Sequence, residues 1–245
     1  MKKAGIIVAL AHSAAQSVIQ PGITTEKINE IVEKTILKHG GTPSFKGLYG
    51  FPAAACISVN SIMAHGIPDD TVLHDGDIVS VDIGACYEGY HGDSAWTYAV
   101  GNISEEAKSL MKTTKEALFE GLKMARPGNY LTDISHAIGE YVFSHGYSLP
   151  RDYAGHGIGT SVHEDPTVPN FGPAGHGILL EEGMTLAIEP MVLAGRPQTR
   201  LSDNGITVST KDGKLSAHYE HTIVITKEGY EILTMMKEEE HPNNG

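Results

Sequence analysis

The chain is poor in cysteine, tryptophan and basic side chains, and it has no long apolar run. Its 245 residues hold two cysteines, one tryptophan and 18 Lys plus Arg against 30 Asp plus Glu. Two cysteines cannot build a disulfide framework at this length, and they point to a reducing, cytoplasmic setting. A net charge of −12 repels phosphate backbones, which argues against direct nucleic-acid binding. No apolar run is long enough to cross a membrane. The opening MKKAGIIVALAHSAA has two lysines, an apolar run and small residues, as a secretory signal does. The run is short, however, and its pattern continues through Ala14, Ala15, Val18 and Ile19 at helical spacing, so it reads as a first helix.

What is present is a pattern that occurs twice. Pro21-Gly22 precedes a helical pattern through Ile28, Ile31, Val32 and Ile36 that ends at His39-Gly40. Pro127-Gly128 precedes a similar pattern through Ile134, Ala137, Ile138 and Val142 that ends at His145-Gly146. Both ends share an offset of 106 residues (127 − 21 and 145 − 39). A helical segment leads into each Pro-Gly, from about Lys3 to Ile19 and from Ser104 to Ala125, with Ser104 as N-cap. The strands LHDGDIVSVD and LEEGMTLAIE follow, with Gly76 and Gly183, and Asp82 and Glu189, both 107 apart. The reading is a single domain, residues 1–245, with an internal repeat at about 1–103 and 104–236. Each copy is helix, helix, then antiparallel strands. Two copies predict an α+β fold: one curved, mainly antiparallel sheet, with the helices on its outer face and a pseudo-twofold axis between the halves.

Acids sit inside these strands. Ile78 to Ala85 and His91 to Val100 read as a hairpin turning at Glu88-Gly89, which sets Asp82 opposite Ala95 and Asp93 opposite Gly84. Asp82 and Asp93 then share a face. LSAHYEHTIVIT reads as one further strand with Glu220 in its middle, partnered by the strand around Leu186, Ile188 and Glu189. Four carboxylates among apolar strand residues, with no Lys or Arg close along those strands, need a counter-charge. Two divalent cations balance four negative charges, and oxygen-rich ligation with one imidazole suits manganese, iron, cobalt or zinc.

GHGIGTSVHEDP, from Gly155 to Pro166, lacks the spacing of a dinucleotide loop and has no P-loop lysine. Its three glycines are read as letting the backbone pass close to a metal centre, with the His156 imidazole as a fifth ligand. His163, seven residues on, takes an outer role. His12, His39, His74, His136, His145, His176 and His241 read as structural.

The segments CISVNSIMAHGIPDD (Cys56–Asp70), GDIVSVDIG, GYHGDSAWT, AGHGIGTSVHEDP, GMTLAIEPM and SAHYEHTIVIT together resemble the type I methionine aminopeptidases of the pita-bread fold. The resemblance spans nearly the whole chain in the family's order. It implies removal of an N-terminal methionine, preferentially before a small second residue, with hydroxide shared by two metals attacking the first peptide carbonyl. It implies Asp82, Asp93, His156, Glu189 and Glu220 as the metal ligands, with Asp93 and Glu220 bridging. Glu189 becomes the proton shuttle, and His65 and His163 contact substrate. Phe51 and Cys56 match the methionine pocket, whereas Leu48, Val162 and Ile206 stand where some relatives are aromatic. His218 replaces a glutamine common in the family, and by the two-residue period it faces the same way as Glu220. Asn60 and Ser216 match positions that hold a monovalent cation. The implied partner is a peptide or nascent-protein N-terminus, met at the ribosome without a visible docking extension, and the expected state is a monomer. The acidic tail KEEEHPNNG reads as a frayed end. Two other readings compete: an X-Pro peptidase of the same fold, which usually carries an extra N-terminal domain, and a peptide-binding module that has lost its metal ligands.

Overall fold

The computed structural model describes residues 1–236. The acidic tail, 237–245, lies outside the described residues. The first part runs α1 (Lys2–Gln16), α2 (Thr25–Lys38), β1 (Thr42–Pro43), β2 (Ala55–Val59), β3 (Ile62–Ala64), β4 (Ile78–Tyr87) and β5 (Tyr90–Ala99). The second opens with α3 (Glu105–Leu122), α4 (Leu131–Ser144), β6 (Gly155–Gly157), β7 (Glu164–Val168), β8 (Thr185–Ile188) and β9 (Met191–Leu193). It closes with β10 (Thr199–Leu201), β11 (Val208–Thr210), β12 (Ser216–His218), β13 (His221–Ile225) and β14 (Tyr230–Ile232).

Local chemistry sets the helix limits. The Thr24 hydroxyl accepts from the Lys27 N–H at the start of α2, and Ser104 accepts from Ala107 at the start of α3. Such caps satisfy N–H groups that the helix itself leaves open. Gly40 and Gly146, after α2 and α4, both have φ of +79°, a left-handed stop that glycine adopts without Cβ strain. Helix α1 ends at Gln16, short of the expected Ile19.

The β4–β5 hairpin has the predicted register, with Asp82 opposite Ala95 and Gly84 opposite Asp93. Alternation along β4 then sorts its residues. Val79, Val81 and Ile83 pack with Ile7, Val8, Ile28, Val32 and Ile36 of α1 and α2. Ser80, Asp82 and Gly84 take the opposite face by the strand period. In the second part, Leu110, Leu118, Ile134 and Ile138 of α3 and α4 cover Leu186, Ile188 and Ile223. Each such fully buried side chain contributes about 1.5–3 kcal/mol. The helices therefore lie on the outer faces, and the polar strand faces look inward.

The strands do not form one continuous sheet. They divide into ladders ordered β1-β4-β2 with β5 on β4, β14-β13-β8-β6-β7, β10-β11-β3 and β12-β9, and every pairing is antiparallel. The segment expected as one strand around Glu220 is two strands, β12 and β13, with Tyr219 and Glu220 in a break between them. Strand β12 pairs with β9, and β13 with β8, as expected for that half. The chain breaks because Glu189-Pro190 interrupts the partner strand at the same level, and proline cannot donate to a ladder.

Side chains of β5 replace the missing ladder bonds. The Thr97 hydroxyl donates to the His218 carbonyl and accepts from the His218 N–H, both at 2.9 Å. The Glu220 N–H donates to the Ala95 carbonyl at 2.8 Å, and the Ser94 hydroxyl donates to the Glu220 carbonyl at 2.6 Å. The Asp93 N–H donates to Thr222 Oγ1, whose own proton goes to the Asp93 carbonyl. The two parts of the chain are thereby locked along one seam.

Candidate metal centre and substrate pocket

All five expected ligands meet at that seam. Asp82 comes from β4, Asp93 from β5, His156 from β6, Glu189 from the end of β8, and Glu220 from the break before β13. Together with His65 and His163 they line a cavity of about 330 Å³ that contains no Lys or Arg. Asp93 and Glu220 are only 3% and 2% exposed. Asp82 Oδ1, Asp93 Oδ1 and Glu220 Oε1 are buried with no hydrogen-bond partner among the described residues.

The electrostatics follow from that crowding. Burial, the largest cause, raises Asp82 to about 7. Burial followed by the neighbouring carboxylates raises Asp93, Glu189 and Glu220 well above the usual carboxylate range. His156 falls to about 4, chiefly through burial. Its Nδ1 lies 2.9 Å from the Gly157 carbonyl, an acceptor, so Nδ1 carries the proton and Nε2 presents a lone pair. That lone pair faces Glu189 Oε1 at 3.4 Å and Asp93 Oδ2 at 3.9 Å. Acceptors so arranged repel one another unless a cation or proton lies among them. Donor atoms of Asp93, His156 and Glu220, and of Glu189, His218 and Glu220, fall into two groups, each spanning no more than 4.8 Å. The groups share Glu220, Asp82 falls in neither, and the oxygen-rich donors are of the chemical type that divalent ions take.

The glycines around His156 do something other than admit a metal. A Cβ on Gly155 would lie 2.3 Å from the Ala187 carbonyl oxygen, and one on Gly157 would lie 2.1 Å from that of Asp165. Strand β6 is squeezed between β8 and β7, and only glycine lets the three approach. His156 is aimed by this packing.

An apolar wall adjoins the acids. Phe45, Phe51, Ala53, Cys56 and Val162 pack as one cluster, with Leu48, Ile67 and Ile206 against it. The sequence reading found Phe51, Cys56, Leu48 and Ile206 of the lining, and Val162 in the cluster beside it, but missed Phe45, Tyr49 and Tyr153, which also line the cavity. Phe45 leaves one trace in the sequence: a Cβ on Gly84 would meet its ring at 2.7 Å. Tyr49 leaves none. It is 83% exposed, has φ of +50° between two left-handed glycines, and stacks on the His163 ring at 5.9 Å. His163 also meets the His156 ring edge-on at 4.5 Å. His65, another positive-φ residue, sets its ring against Tyr153 at 6.4 Å. Burial lowers His65 and His163, which keeps both neutral near pH 7.

Helix-flanked antiparallel ladders with carboxylates and imidazole converging on one cleft define a metal-dependent hydrolase, and residues 1–227 match metallopeptidase family M24, to which the chain belongs. Several of its relatives in that family are methionine aminopeptidases. A methionine aminopeptidase of Clostridium perfringens is 54% identical over 237 residues, covering 97% of this chain and 95% of that protein. Methionine aminopeptidase 1 of Bacillus subtilis is 52% identical, covering 96% and 94%. The crystal structure of methionine aminopeptidase from Rickettsia prowazekii superposes with a TM-score of 0.94 at 40% identity, covering 96% of this chain and 95% of that one. Prolidase from Pyrococcus furiosus gives 0.79 at 25% identity, and this chain covers 63% of it. No helix among the described residues is long and apolar enough to cross a membrane.

Proposed function

We propose that the chain removes the N-terminal methionine of peptides and nascent proteins, preferentially before a small second residue, as a two-metal methionyl aminopeptidase. One observation carries this reading. Two buried and two half-buried carboxylates and one imidazole converge beside an apolar pocket, with no Lys or Arg among its lining residues. The relatives named above support the methionine assignment.

Asp82, Asp93, His156, Glu189 and Glu220 would hold the two ions. The donor set suits manganese, iron, cobalt or zinc. When bound, such ions polarise a carbonyl and make water a nucleophile near neutral pH. The protein's own groups do the remaining work. Phe45, Leu48, Phe51, Cys56 and Ile206 exclude water around a flexible thioether, to which an adaptable apolar wall is suited. His65 and His163, held neutral by burial, donate N–H bonds to the scissile peptide group and its developing negative charge. Glu189, its carboxyl raised by burial, takes a proton from the attacking side and returns it to the leaving amine.

A monovalent cation belongs beside Asn60 and Ser216. The Ser216 hydroxyl lies 3.0 and 3.2 Å from the Asn60 and Ile62 carbonyl oxygens, yet it has one proton for two acceptors. The Asn60 side chain is turned to Asp77 and Ile78, so only its carbonyl serves this site. A duplicated unit, about 1–103 and 104–236, working as a cytoplasmic monomer on chains leaving the ribosome, completes the reading. The matched Gly22 and Gly128, at φ of +95° and +86°, and Gly76 and Gly183, at +98° and +92°, support the duplication.

Two peptides test the proposal. With manganese or cobalt added, Met-Ala-Ser should be cleaved and Ala-Pro-Ala left intact. Turnover of only the second would make the protein an X-Pro peptidase. Failure to bind any divalent ion after reconstitution would make it a binding module.

A further inference from the structure

We infer that His218 is a positioning residue that holds the Glu189 carboxylate with Oε2 toward itself and Oε1 toward His156, an inference that rests on the aminopeptidase reading of the site. His218 ends β12, directly before the break that carries Glu220. It is 4% exposed and does not line the cavity, so its ring stands behind the carboxylates, not among the groups that meet substrate. Its backbone is clamped by Thr97 on both sides. Its Nε2 lies 3.6 Å from Glu189 Oε2 and 3.9 Å from Glu220 Oε2. That nitrogen is buried with no hydrogen-bond partner among the described residues.

The two oxygens of Glu189 thus face different rings. Oε1 faces His156 at 3.4 Å, and Oε2 faces His218. Because Nε2 of His218 looks onto two carboxylate oxygens, the tautomer with its proton on Nε2 is favoured, and the other would oppose lone pair to lone pair. The gap is roughly 0.7 Å longer than an N–H···O bond, which a small side-chain rotation closes. Donation to Oε2 leaves Oε1 free beside His156 and stops the carboxylate from swinging. A glutamine here would also offer a donor to Oε2. Histidine supplies the same donor from a stiffer ring.

Two variants and one measurement on the unmodified protein test this. Manganese is titrated calorimetrically into metal-free wild type, His218→Gln and His218→Leu, and kcat and KM are measured with Met-Ala-Ser at saturating metal. His218→Gln should bind within about threefold of wild type. His218→Leu should lose about 10–100-fold in affinity for one ion, the range for removing an orienting partner, and its kcat should fall while KM stays nearly constant. Independently of any variant's folding, nitrogen-15 histidine spectra of the zinc-loaded wild type should show the Nε2–H tautomer at His218. The Nδ1–H tautomer, which a metal-ligating Nε2 requires, would overturn the inference. So would His218→Leu that binds both ions as wild type does. Wild type that takes up fewer than two ions, or leaves Met-Ala-Ser intact, would instead overturn the underlying reading of the site.

Discussion

Glu220 and His163 separate holding metal from acting on substrate. Glu220 belongs to both donor groups, so on the proposed reading Glu220→Gln removes a charge that both ions would draw on. Metal analysis should find the content reduced from two ions to one or fewer. His163 touches no carboxylate in those groups, so His163→Ala should keep its metal. Its turnover should drop by about 10²–10³, the effect of losing one transition-state donor. Equal metal loss in both variants would erase the distinction. Asp82 offers a check on the electrostatics. Its carboxyl titrates near 7 when folded without metal, against 3.8 ordinarily. Between those values the unfolded chain binds fewer protons than the folded one, so Asp82 costs metal-free stability increasingly as pH rises from about 4 to 7. Urea unfolding in chelator should therefore show wild type losing stability relative to Asp82→Asn across that window. An unchanging difference would mean that Asp82 is not desolvated.

At the scale of elements, the hairpin carrying Asp82 and Asp93 was legible because a two-residue turn and a period of two settle register without help from the rest of the chain. The break at Glu220 was not legible. SAHYEHTIVIT alternates well enough for one strand, and the interruption comes from Pro190 and from β5 hydroxyls far away in sequence. The glycines of β6 are plain in the sequence but their neighbour is not: the space a Cβ would take is filled by the backbone of β8 and β7. Gly157→Ala should accordingly lower stability by about 1–3 kcal/mol, as overpacking does, seen as a depressed Tm with metal present. Thr97→Val breaks both bonds to the His218 backbone and should cost about 1–3 kcal/mol for the buried groups left open. Wild-type stability in Thr97→Val would show that the clamp at the seam is dispensable.

The whole molecule is two helix-backed sets of strands whose polar faces look inward at a shared cleft. Without cations, four buried or half-buried carboxylates face each other there, so metal is part of its stability as well as its chemistry. Chelation should lower Tm, and refilling at about one hundred times Kd should return roughly 2.7 kcal/mol for each ion. Unchanged melting would mean that the acids do not share a site. The amino-acid order alone determined the Ser104 cap, the hairpin register, the four acids and one imidazole, and most of the apolar wall. These depend on short-range periods and on residue types too costly to bury without purpose. Only the tertiary structure decided where the strands break, that Phe45, Tyr49 and Tyr153 join the pocket, and that His218 stands behind Glu189. Those outcomes depend on contacts between segments from 29 residues apart (His218 and Glu189) to 121 apart (Thr97 and His218), and no local period encodes such distances.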